Sequence, residues 1–217
     1  MTDANLAISP RAQKTREALL EAGLKLFAER PIDAVPIDDI VASAGVAKGS
    51  FFNHFADKQM FAGELANEVR RDLEARVAEV NDGIGCPLDR LTNGMLVAVD
   101  FALTEHDRTV VMLRGALSST ARNHPLNQGL REDIEAAIAA NKIPESSQTA
   151  GLLFWLGNCQ MLMMNIVERR PARPEAAARM YDIMSMALTG LGVRSADANS
   201  FAELCRARLT EMEISRA

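Results

Sequence analysis

Apolar side chains return every three or four positions through most of the chain, the period at which one face of an α-helix comes back round to a core. Between residues 11 and 30, Leu20, Leu24 and Phe27 share a face flanked by Leu19, Gly23 and Leu26, and Pro31 stops the helix they predict. Pro36 then opens a short helix over residues 37–44, whose Asp38 and Asp39 suit the positive end of its dipole. Gly45 allows a tight turn of positive φ, and residues 47–55 form a further helix of about two turns, so the pair reads as helix-turn-helix. Asp57 is placed to cap a longer helix in which Phe61, Leu65, Val69, Leu73 and Val77 repeat every fourth residue, until Asp82, Gly83, Gly85 and Pro87 break it.

Further helical patterns occupy residues 88–103, 110–117, 126–138, 150–167 and 174–191, and a last one carries Phe201, Leu204, Leu209 and Met212. Interruptions fall around Asp107, at His124 and Pro125, from Lys142 to Ser147, and from Arg169 to Arg173. The expected architecture is all-α. An N-terminal three-helix head with a helix-turn-helix occupies residues 1–58, with Phe27, Ile40, Val46 and Phe55 as its core. A C-terminal helical bundle occupies residues 59–217, and the helix over residues 61–80 connects the two.

Residues 150–167 carry no charge, which reaches the length at which a membrane helix becomes a candidate. Interior Asn158, Gln160 and Asn165, its glycines, and the want of a second such segment favour instead a helix buried on two sides. One side would meet the core of its own chain. The other, with Met180, Ile183, Met184, Ala187 and Leu191 of the next helix, would form a four-helix bundle with a second copy, so the reading is a homodimer and no membrane.

Composition narrows the class. In 217 residues, 48% hydrophobic and 24% charged content fits a folded globular chain, and 5% aromatic content with few Val, Ile and Thr favours helix over sheet. The formal net charge of -5 argues against a protein that coats nucleic acid through a uniformly positive surface. Its distribution says more: residues 11–58 balance seven basic against seven acidic residues, whereas residues 59–217 carry 17 against 21, so an anion-binding surface belongs near the N-terminus. Cys86, Cys159 and Cys205 are widely spaced and odd in number, and the polar opening Met1 to Arg16 lacks an export leader, so the expected compartment is the cytoplasm.

The run AGVAKGSFFNHF at residues 44–55, followed by Asp57 and Lys58, resembles the DNA-binding segment of TetR-type (tetracycline-repressor-like) transcriptional regulators. The upstream LKLFAER and IDDIVASAG segments and the total length agree with that resemblance. It implies an all-helical homodimer in which each head binds half of a palindromic operator in double-stranded DNA, and each C-terminal bundle holds a small-molecule effector. Three positions depart from the family pattern: Pro31 stands where Gly is favoured, Pro36 where a capping Thr is favoured, and Phe52 where Tyr is favoured. The last removes a hydroxyl that commonly touches a phosphate.

On that reading the second short helix enters the major groove. Lys48 donates to a guanine edge or phosphate, Ser50 and Asn53 bond bases or backbone, His54 and Lys58 reach phosphates, and Gly49 lets the backbone approach closely. Lys14 and Arg16 clamp the flanking backbone. The plain alternative makes these ordinary solvated charges. Further along, Trp155, Asn158, Cys159 and Leu162, with Met112, Leu113 and Leu117 opposite, are the candidate lining of a pocket for an apolar or aromatic effector, in a methionine-rich region that also suits simple core filling.

A helical enzyme or metal protein is the rival from another class. No Glu-x-x-His spacing precedes His54, His106 or His124, and HExxH, Walker, GxGxxG and nucleophile-elbow motifs are absent, so no cofactor, metal or catalytic residue is expected. A second alternative keeps the head but gives the C-terminal region only dimerisation or protein binding.

Overall fold

The computed structural model describes residues 9–115 and 125–214, and among them every regular element is helical. Helix α1 (Pro10–Glu29) begins at Ser9, whose hydroxyl accepts from the Ala12 N–H at 3.3 Å, and ends where Arg30 and Pro31 turn extended. A single 3-10 turn (Ile32–Ala34) leads to α2 (Ile37–Ser43), with Asp38 and Asp39 in its first turn. Gly45 takes φ +66, a value strained for any residue with a Cβ, and α3 (Lys48–Phe52) follows. That helix is shorter than its sequence predicts: Asn53 to Phe55 continue as a turn, with the His54 N–H reaching back to Phe51 O at 3.0 Å.

Asp57 caps α4 (Lys58–Val80) by accepting from the Met60 N–H at 2.7 Å. Next come α5 (Pro87–Thr104), α6 (His106–Gly115), α7 (Gln128–Ala139), α8 (Ser147–Arg169), α9 (Arg173–Gly190) and α10 (Ser195–Ile214). Helix α6 starts four residues before the predicted 110, because the break is a single residue, Glu105, whose carbonyl immediately accepts from the Thr109 N–H at 2.9 Å. Arg170, at φ 48, closes α8.

Two apolar cores organise these helices. The smaller gathers Leu19, Phe27, Ile40, Phe51 and Phe55 from the head with Phe61 and Leu65 from α4 and Val111 from α6. Val46 packs against it only partly buried. Helix α4 therefore belongs to both cores, since Val69 and Leu73 lower down lie in the larger one. At the centre of that larger core is α5, whose Leu91, Met95, Val99 and Phe101 are sealed against the surrounding helices. Polar pairs cross it, Arg173 donating to Asp100 at 2.6 Å and Arg208 to Asn93 at 2.6 Å.

Helix α8 is split lengthwise. Leu152, Trp155, Leu162 and Ile166 face the core, while Leu153, Phe154, Met161 and Met164 face outward with Met186 of α9, which is 74% exposed; Met180, Met184, Ala187 and Leu191, expected at a contact with a second copy, are instead buried in this chain's own core. Among the described residues this is the one helix, over Ala150–Arg169, long and apolar enough to cross a bilayer by length and composition.

Candidate nucleic-acid interface and interior cavity

In the head, aromatic packing decides which way α3 faces. The Phe51 ring lies 5.5 Å from Phe55 and 5.3 Å from Phe61, and Phe61 lies 5.8 Å from Phe27, centroid to centroid. With Phe51 fixed inward, helical geometry turns Lys48, Gly49, Phe52 and Asn53 outward, and all four are exposed; Ser50 and His54 are half-buried at the edge of the same face. A Cβ added to Gly49 meets nothing within 4 Å, so packing inside the chain does not call for glycine there.

The basic residues around this face are engaged. Lys48 pairs with Asp38 at 2.8 Å across the turn, both ends being more than half exposed, so the pair holds well under about 1 kcal/mol and gives way readily to a phosphate. Arg16 pairs with Glu64 and, at 3.7 Å, with Glu68, and its guanidinium lies 5.7 Å from the Phe55 ring centroid. Lys58 donates to the Val35 and Asp33 carbonyls at 2.9 and 3.1 Å, holding the loop between α1 and α2. Lys14 is exposed on α1. The face thus brings together Lys48, Gly49, Ser50, Asn53 and His54, with Arg16 of α1 over Phe55 beside it, while Lys58 is turned toward backbone and Lys14, two residues from Arg16, points to another side of α1.

Between α4, α5, α6, α7 and α8 lies a cavity of about 270 Å³. Trp155 and Cys159 line it from α8, and Met112 and Leu113 from α6. Asn158 does not line it: its amide donates to the Phe154 carbonyl at 2.8 Å on the outer flank of α8. Leu162 is wholly buried in the core beside the cavity rather than in its wall, and Leu117 lies outside the described residues. Both misplacements have one cause: the wall is the helical arc through Trp155, Leu156, Cys159, Gln160 and Met163, and positions 158 and 162 sit off its edge. Burial pushes the Cys159 thiol up to about 12, against a small opposing pull from Arg70, so it lines the cavity as a neutral group.

Sequence reasoning missed the polar wall. Arg70, only 8% exposed, donates to Glu74 at 2.6 Å and to Asn127 at 3.1 Å, and Arg90 donates to Asp133. Burial pushes the Asp133 carboxyl above its usual range, outweighing Arg90, and Glu132 adds to the shift. The one signal was Arg70 with Glu74 four residues on, beside the apolar stripe of α4, a spacing ordinarily found on solvated helix faces.

Helix α6 joins the two sites through consecutive residues. Val111 is buried in the head core, Met112 and Leu113 line the cavity, and Arg114 donates through Nη1 to the last carbonyls of α1: Phe27, Ala28 at 3.2 Å and Arg30 at 3.1 Å. Gly115 brings α6 against α4, since a Cβ there would stand 2.4 Å from that of Ala66. His106, at the start of α6, is bound to Asp107 and to the Val167 carbonyl, each at 3.0 Å.

Residues 19–65 match the sequence profile of the bacterial regulatory proteins of the tetR family. The HTH-type transcriptional repressor DhaR of Mycobacterium sp. (strain GP1) is 38% identical over 79 residues, 36% of this chain and 40% of that protein. The match thus spans less than half the length of that curated relative. A crystal structure of a putative tetR family transcription regulator from Shewanella sp. PV-4 superposes with a TM-score of 0.72 at 19% identity, covering 83% of this chain and 99% of that one. RolR in complex with resorcinol superposes with a TM-score of 0.63, also at 19% identity, over 88% and 94% of the two chains. At such identities the superpositions speak for the fold.

Proposed function

We infer from the TetR family of bacterial regulatory proteins, to which this chain belongs, that it is a ligand-responsive DNA-binding repressor acting as a homodimer. The observation that carries this reading is the covalent continuity between the two sites: α6 has one residue in the head core, the next two in the cavity wall and the next on the end of α1. A ligand that moves Met112 or Leu113 bears directly on the head. The relatives fit the same reading, DhaR being a repressor and RolR having been crystallised with a small phenol. The cavity favours an effector-responsive regulator over one whose C-terminal region only dimerises.

The recognition face is the outward side of α3. Lys48, freed from Asp38, together with Ser50 and Asn53, reaches base edges or phosphates in the major groove; Lys14 and Arg16 hold the flanking backbone. Gly49, lacking a side chain on that face, lets the helix lie close. Lys58 contributes indirectly, by tying the α1–α2 loop to the start of α4.

One head makes few phosphate contacts, so tight binding at physiological salt requires two heads held at a fixed spacing. The outward face of α8 with Met186 of α9 supplies the apolar surface for that pairing. Two-fold symmetry then calls for a roughly palindromic operator whose half-sites lie about one helical turn apart. An effector that fits one spacing of the heads better than the DNA-bound spacing shifts the population off the operator, and operator and effector must weaken each other equally.

Fluorescence anisotropy on palindromes from the DNA flanking the gene tests this. The protein is expected to bind one of them, and Lys48→Ala to weaken that binding by about tenfold, the value of one charge-assisted contact. Equal affinity for the palindrome and a scrambled duplex would overturn the assignment.

A further inference from the structure

On the reading that the cavity holds an effector, its wall specifies the charge of that effector. The floor is apolar, with Leu73, Leu91, Met112, Trp155 and Met163, and at about 270 Å³ it exceeds the roughly 150 Å³ that accommodates a single benzene ring, so two fused rings fit. Both guanidinium groups in the wall are already committed. Arg70 donates to Glu74 at 2.6 Å and to buried Asn127 at 3.1 Å; Arg90 donates to Asp133 and to the Ile84 carbonyl at 3.0 Å. A third carboxylate, Glu132, stands at the rim bonded to Gln128 at 2.8 Å. The wall thus carries two cations against three anions.

A carboxylate entering this cavity must either take Arg70 from Glu74 or Arg90 from Asp133, or remain unpaired. Each course leaves one partly buried anion without compensation, Glu74 with 30% or Asp133 with 14% of its side chain exposed, a costly arrangement for a charge largely out of water. An uncharged molecule displaces nothing, and its hydroxyl finds a carboxylate oxygen with lone pairs to spare on Asp133. We propose that the cavity selects uncharged two-ring compounds bearing a hydroxyl donor and rejects their carboxylate counterparts.

Decahydro-2-naphthol and decahydro-2-naphthoate test this, because both are transparent where tryptophan emits and Trp155, the one tryptophan of the chain, lies in the cavity wall. Affinity is read by calorimetry on the full chain, and occupancy of this cavity by a shift in Trp155 emission. The alcohol is expected to bind at least about tenfold more tightly than the acid, with an emission shift. Glu74→Gln, whose side chain is 30% exposed and therefore tolerant, releases Arg70 from its partner and is expected to raise affinity for the acid about tenfold while changing that for the alcohol less than about threefold. Wild-type protein that binds the acid as tightly as the alcohol, or Glu74→Gln with an unchanged ratio, overturns the charge rule and leaves the effector site standing. Binding of neither compound, or binding without any change at Trp155, overturns the effector cavity and the charge rule with it.

Discussion

At the scale of single residues, the chain uses burial to silence groups that would otherwise react or ionise. Cys159 is the clearest case. Its thiol, ordinarily near 9.0, is pushed up to about 12, so the folded protein keeps a proton that the unfolded chain gives up in alkali. Stability is therefore untouched by this group below pH 9 and falls as the pH climbs from there toward 12, with a slope approaching about 1.4 kcal/mol per pH unit. Urea unfolding at pH 8 and pH 10.5 is expected to show a larger loss for the wild type than for Cys159→Ala; equal losses would contradict the burial of the thiol. Gly23 shows the opposite economy, space rather than charge: a Cβ there would stand 2.4 Å from the Phe61 ring, so glycine is what lets α4 lie against α1.

At the scale of elements, the sequence was most informative where a stop or a cap is chemically marked. Pro31, Gly45 and Asp57 delimit the head, and each does in the structure what its side chain or backbone dictates. The start of α6 was illegible because its break is one residue without Gly or Pro, and a helix that resumes at once leaves no gap in the hydrophobic period. The cavity was half legible. The methionine-rich apolar region pointed to Trp155, Cys159, Met112 and Leu113, but which arc of α8 faces empty space rather than packed atoms depends on the helices opposite, and so does the burial of Arg70. Arg114 was silent for a similar reason, since its partners lie 84 to 87 residues away. A cation on three terminal carbonyls also complements the negative end of the α1 dipole, and because Arg114 is largely solvated its removal should cost only about 1 kcal/mol. Arg114→Ala is accordingly expected to leave the fold and effector affinity intact while reducing the factor by which effector weakens operator binding; an unchanged coupling factor would show that α4 alone carries the signal.

At the scale of the whole molecule, the outward face of α8 and α9 groups exposed apolar side chains that a self-sufficient monomer has no use for. Leu153, Phe154, Met161 and Met186 expose between 43% and 74% of their surface. Two lysines placed in that face, Met161→Lys with Met186→Lys, are expected to leave helical content unchanged while converting the proposed dimer to a monomer in analytical ultracentrifugation. Operator affinity should fall by about a hundredfold or more, because the second head is no longer delivered by the first. A variant that stays dimeric would move the subunit contact elsewhere.

The aromatic knot of Phe27, Phe51, Phe55 and Phe61 has a consequence at this largest scale. It ties the reading helix to the first turns of α4 and leaves no soft joint between them, Lys58 having stitched the remaining loop to the same turns. In the proposed dimer each head would therefore swing as one solid piece with its shaft. On the proposed mechanism, duplexes with base pairs inserted between the half-sites should separate occupied from empty protein more sharply than duplexes altered inside a half-site, because what a bound molecule would reset is the span between two unchanged letters, not their spelling.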